Sequence, residues 1–141
     1  MDWKKVGDIY LIRLHPGEEL VNELTQWVQT HCLSGGTVEG LGGVREVELG
    51  YFDTTTKTYH RWLNSGNWEL VHLWGNLTEW DKQPFWHIHA VISSRDGNCQ
   101  AGHLFAAIVA ITAELVIKPW KTTIQRHQDS TTGLYLWNLQ D

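Results

Sequence analysis

The chain has 141 residues, 42% of them hydrophobic and only 19% charged. That is enough apolar material for one buried core and too little charge for a disordered chain. With 16 acidic and 11 basic residues the net charge is −5. The balance excludes the broad basic footprint of a non-specific nucleic-acid binder.

The N-terminus, M-D-W-K-K-V-G-D, lacks the apolar core of a secretory signal. Leu104 to Ile111, the longest apolar run, is too short to span a bilayer. We therefore expect a cytoplasmic protein with no membrane partner. Cys32 and Cys99 are expected to be free thiols. No composition break divides the chain, so residues 1–141 are read as a single domain.

Ile9 to Leu14 is apolar and β-prone and predicts a strand. His15-Pro16-Gly17 ends it. In Glu18 to His31, the residues Leu20, Val21, Leu24, Trp27, Val28 and His31 recur at helical spacing, which predicts a helix with one buried stripe. Glu18 and Glu19 suit its positive end, and His31 sits at the stripe edge. Ser34 to Gly43 (S-G-G-T-V-E-G-L-G-G) fits neither the dinucleotide fingerprint nor a P-loop. Its glycines predict a strand bend or a close backbone approach such as another subunit would make.

Val44 to Phe52 and Thr58 to Leu63 predict a hairpin, with Asn64 to Asn67 as the next turn. Trp68 to Thr78 predicts a strand with Trp68, Leu70, His72 and Trp74 on one face, and Val71 and Leu73 on the other. Leu104 to Ile117 predicts a buried strand. Glu114 within it either escapes to solvent at a strand end or is a buried carboxylate that pairs with a cation or orients a ligand histidine. Lys121 to Thr132 is expected to be loop, and Leu134 to Leu139 a last short strand.

The chemistry concentrates in Phe85 to His103, F-W-H-I-H-A-V-I-S-S-R-D-G-N-C-Q-A-G-H. His87 and His89 are two apart and share a strand face. A two-residue loop at Asp96-Gly97 would put His103 on the opposite face. A three-residue loop, Arg95-Asp96-Gly97, pairs Ser94 with Asn98 and places His103 opposite His89. Gly97 sits where the second loop needs a left-handed residue, so we adopt that register. Three imidazoles then converge as ligands for a divalent metal, with zinc as the default and a fourth position open to water, a small molecule or an anion. Cys99 shares the face of His103 but lies roughly 13 Å along the strand, too far to join them.

Five segments together resemble one family: Y-L-I-R-L-H-P-G-E-E-L at 10–20, G-L-G-G-V-R-E-V-E-L-G-Y-F-D at 40–53, P-F-W-H-I-H at 84–89, D-G-N-C-Q-A-G-H-L at 96–104 and I-T-A-E-L-V-I at 111–117. The chain is similar to stand-alone prokaryotic members of the PPC (plant and prokaryote conserved) domain family. The resemblance implies an α+β fold, mainly an antiparallel sheet of about seven strands packed on one main helix. It also implies a homotrimer and a metal held by His87, His89 and His103. The Arg-Gly-Arg-Pro core of an AT-hook is absent, so the plant DNA-binding role does not transfer. Phe105-Ala106-Ala107 replaces the more polar, glycine-containing stretch expected after Gly-His-Leu.

The expected function is thus a small zinc-binding homotrimer with a small-molecule or hydrolytic role. Glu39 and Glu114 are the candidate general bases for water activated at the metal. The alternatives are a DNA-associated module, for which Lys118, Lys121 and Arg126 near Trp120 are the one basic cluster, and a partner-binding trimer without catalysis.

Overall fold

The structure is a computed structural model and describes residues 1–140. Its elements are β1 (Asp2–Val6), β2 (Ile9–Leu14), α1 (Leu20–Thr30), β3 (Gly36–Asp53), β4 (Thr58–Trp80), β5 (Gln83–Ser93), β6 (Cys99–Pro119), β7 (Arg126–Gln128) and β8 (Tyr135–Trp137). Strands β1 to β6 form one antiparallel sheet in the order β1-β2-β6-β3-β4-β5, and β7 pairs with β8 alone. The α+β architecture of one helix on an antiparallel sheet is as expected, with eight strands in place of about seven. The unforeseen β1 is exposed along its whole length, so no apolar alternation marks it in the sequence. The stretch expected to be loop at 121–132 contains β7.

Strand β6 organises the sheet. One edge pairs with β3 from Gly36↔Pro119 to Gly50↔His103. The other edge is shared. β2 takes residues 113–117 and β5 takes residues 99–103. Between them, the turn before the helix fills the gap. Gly17 N–H donates to the Val109 carbonyl and Val109 N–H to the Glu18 carbonyl, each at 2.9 Å. The Glu19 carboxylate accepts from Ala107 N–H at 3.1 Å, and it also caps α1 by accepting from Val21 and Asn22 N–H. This satisfies backbone donors that a bare helix start would leave unpaired. Because β5 pairs with both β4 and β6, strands β3 to β6 close into a ring.

Leu20, Leu24, Trp27 and Val28 of α1 are buried and join the sheet's inner side chains in one core cluster. Each fully buried leucine contributes about 1.5–3 kcal/mol. His31 stacks on Trp27, with ring centroids 4.2 Å apart, at the edge of that stripe.

The long strands bend at β-bulges, and these correct two readings of the sequence. The segment 64–67 is not a turn between strands, since β4 runs straight through it. Its turn-like residues serve a bulge instead. Glu46 adopts φ +49° and Gly66 φ +81°, the Glu46 carboxylate accepts from Gly66 N–H at 3.0 Å, and the pairing register shifts between Arg45 and Val47. The shift puts Val44 and Val47, three apart, both in the core. A second shift between Leu70 and His72 does the same to β4: Leu70 and Leu73 point in, whereas Val71, His72 and Trp74 are exposed. A bulge inserts one residue and reverses the alternation beyond it. Strict period-two assignment of the Trp68–Trp74 faces therefore fails.

The glycines at 40 and 42 do permit a close approach, and the neighbour is this chain's own β6. A Cβ on Gly42 would lie 2.2 Å from the Thr112 carbonyl oxygen, whereas one on Gly43 would meet only the Ile111 side chain, at 3.3 Å. We predict that Gly42→Ala destabilises the protein by roughly 1–3 kcal/mol, since the β3–β6 backbones must move apart. Gly43→Ala should cost less than Gly42→Ala. Paired denaturant titrations check both, and equal midpoints for the two variants would contradict the account.

Candidate metal centre

The β5–β6 hairpin builds the site. Its loop has the three-residue form: Ser94 N–H donates to the Asn98 carbonyl at 3.0 Å, Gly97 N–H to the Ser94 carbonyl at 2.9 Å, and Gly97 has φ +79°. His89 consequently pairs with His103 across the strands. On its other side β5 pairs His87 with Asn76 and His89 with Trp74 of β4. Residues paired directly across a sheet project to one face, and the three imidazoles meet there.

One ring nitrogen from each of His87, His89 and His103 lies within 4.8 Å of the others. His87 Nε2 and His89 Nε2 are 3.2 Å apart. Two nitrogens bound tetrahedrally to zinc at 2.0–2.1 Å stand about 3.3 Å apart, so this pair already has the spacing that such an ion requires. The Nδ1 of His103 is buried and has no hydrogen-bond partner. A buried unpaired nitrogen is costly. The donor set and its orphaned atom thus fit a nitrogen-preferring divalent ion.

The imidazoles are poised for that role. Burial pushes His87 down to about 4, with the positive charges of His89 and Arg126 acting in the same direction. Burial also pushes His103 down to about 4, reinforced by His87, His89, Arg61 and Arg126. His89 is lowered by burial as well. All three are neutral at pH 7, the state that coordinates a cation. Around them, His103 packs against the rings of Phe105 and Tyr59, with centroids at 4.7 and 5.1 Å. Gly50, opposite His103, makes room for Phe105, because a Cβ there would lie 2.5 Å from its ring.

The other candidates fall elsewhere. Glu39 and Glu114 are exposed and line a separate, open cavity of about 650 Å³ that contains none of the three histidines. Glu39 shares a register row with His89, but Trp74 stands between them. Of the two readings of Glu114, escape to solvent is the one observed. Cys32 and Cys99 are free and exposed.

Arg126 was not expected here. The reading that grouped it with Lys118 and Lys121 as a surface cluster is corrected, because its side chain turns inward and is only 9% exposed. It borders two cavities, of about 450 and 530 Å³, and both also include His87. Nothing local in T-T-I-Q-R-H-Q announces this, since the position depends on the β7–β8 pairing folding back over β4.

Comparison with known proteins agrees with this architecture. The family model of the Plants and Prokaryotes Conserved (PCC) domain matches residues 1–121. Among curated protein sequences nothing matches the chain. Three solved structures are similar over nearly their full length. A metal-containing protein from Archaeoglobus fulgidus is 30% identical with a TM-score of 0.87, with 98% of this chain and 99% of that one covered. A plant- and prokaryote-conserved protein from Pyrococcus horikoshii is 26% identical with a TM-score of 0.87, with 99% and 96% covered. A candidate DNA-binding protein from Bacteroides thetaiotaomicron is 26% identical with a TM-score of 0.94, with 97% and 96% covered. With the family model spanning residues 1–121, the chain belongs to the Plants and Prokaryotes Conserved domain family.

Proposed function

We propose that this protein binds a divalent transition metal, zinc by default, through His87, His89 and His103, and acts on or senses a small molecule there. The observation that carries the reading is the convergence of three ring nitrogens, one from each histidine, within 4.8 Å. The metal-containing relative supports it. A bound ion of this kind supplies a Lewis acid with an open position. Asn76 and Trp74, paired with His87 and His89, fix the strand that carries both ligands. With Glu39 and Glu114 lining another cavity, we assign no general base and no reaction.

Metal analysis of protein purified without a nickel column is expected to find about one ion per chain. His87→Ala or His89→Ala should remove most of it, and Cys99→Ala should leave it in place. Loss of metal in Cys99→Ala with retention in His103→Ala would refute the ligand set.

The lowered histidines carry a pH signature in the metal-free protein. The folded state keeps His87 and His103 neutral down to about 4, whereas the unfolded chain protonates them near 6.5. Below 6.5 the unfolded state therefore binds more protons, and stability falls as pH drops toward 4. It is complete above 6.5. Imidazole NMR titrations should give midpoints well under 6.5 for both residues, and ordinary midpoints would contradict the burial argument.

We further propose a homotrimer. Leu11, Leu41 and Val71 are exposed together around the 650 Å³ cavity. Contiguous apolar surface on a sheet is the usual mark of a covered interface. The −5 charge per chain makes duplex DNA an unfavourable partner. Light scattering at micromolar concentration is expected to give three times the chain mass, and Val71→Asp should lower it. A monomer mass for the unmodified protein would refute the assembly. No helix is long and apolar enough to cross a membrane among the described residues.

A further inference from the structure

We propose that Arg126 and the histidine cluster together form a subsite for a small organic oxyanion, a carboxylate or phosphate group carried on an apolar body. The histidine half of this subsite rests on the metal-binding reading, and the Arg126 half stands without it.

The charge around Arg126 is unbalanced. Arg126 is buried, and its guanidinium makes three hydrogen bonds to neutral acceptors. Nε donates to Thr78 Oγ1 at 2.7 Å, Nη1 to the Tyr135 carbonyl at 2.6 Å and Nη2 to Asn76 Oδ1 at 2.8 Å. The Phe85 ring lies 4.5 Å away. Among the described residues, the arginines held in ion pairs are Arg13 with Asp2 and Arg61 with Glu48. Arg126 has no carboxylate. A buried cation without a counter-charge is strongly disfavoured unless something supplies one. Three of its five N–H groups are used, which leaves one on each terminal nitrogen. That is the donor pair which carboxylate and phosphate oxygens accept together.

The surroundings deepen the imbalance. Neither of the two cavities that border Arg126 is lined by an aspartate or a glutamate, and Lys57 lines one of them. A divalent ion on the histidines would add more positive charge to the same space. Apart from Asn76, Thr58 and Thr132, the remaining lining is apolar and aromatic, including Trp74 and Trp137 on one side and Tyr59 and Phe105 on the other. Both volumes, about 450 and 530 Å³, suit a small molecule. The chemistry selects an anionic head between Arg126 and His87 and an apolar body against the rings.

Isothermal titration of the full chain tests this, with metal-stripped and zinc-loaded protein. The probes are benzoate, phenyl phosphate and neutral benzamide. At least one anion should bind saturably to the metal-stripped protein, and which one identifies the head group. Benzamide should bind at least about tenfold more weakly. Arg126→Gln should weaken the anion at least about tenfold while zinc content stays unchanged. If Arg126→Gln does not fold, Arg126→Lys keeps the charge, loses the fork, and should weaken the anion several-fold. In the unmodified protein, the Arg126 Nε–H resonance should move on addition of the anion. The proposal is overturned if neither anion binds, if benzamide binds as tightly as benzoate, or if the folded Arg126 variant binds unchanged. Arg126-dependent binding in a protein that takes up no zinc would refute the metal reading and leave this one standing.

Discussion

The pairing of β5 with β6 over five residues is the contact on which the rest of the molecule depends. Strand β6 has two edges. β3 occupies one from His103 to Pro119, and β2, the Gly17–Glu19 turn and β5 divide the other. Only the β5 share returns the sheet to its own start and makes a ring. The same five pairs set His103 opposite His89. Closure of the fold and assembly of the three-histidine cluster are therefore one event, fixed by a loop whose length leaves no freedom in register.

That coupling explains why the site was legible in one sequence. Two histidines at strand spacing, a glycine placed for a left-handed turn residue, and a third histidine at the matching distance determine the geometry with local rules alone. The helix was legible for a similar reason, because Leu20, Leu24, Trp27 and Val28 repeat at helical spacing and are buried as that spacing requires. The long strands were less so. Asn64 to Asn67 has turn composition but serves a bulge, and a bulge is specified by two strands at once, here by Glu46 accepting from Gly66 across the sheet. Val44 and Val47, or Leu70 and Leu73, look out of phase until the inserted residue is placed.

Arg126 marks the limit of such reading. Its partners are Thr78, Asn76 and Tyr135, which lie 48 and 50 residues away on β4 and nine away on β8. No periodicity connects them. In a polar stretch an arginine is most often a solvated surface residue, and the burial of this one follows from tertiary structure alone. Glu39 and Glu114 illustrate the converse. Both sit in apolar surroundings in the sequence, yet strand alternation turns them outward. The cavities at the histidines are lined by Arg126 and Lys57 and by no carboxylate, although the chain as a whole is acidic. Net charge describes how a molecule meets distant partners, and the lining of a cavity describes what it can hold.

The seam between β5 and β6 is also short. β3 and β4 are paired along most of their length, whereas five residue pairs close the ring. The histidines straddle that seam, two on one side and one on the other. Any ion that all three hold acts as a clasp across the shortest joint of the barrel. Occupancy of the site would then govern how often the ring breathes, and amide hydrogens of Val91 and Ala101, next to the clasp, would register its presence before any change in overall shape.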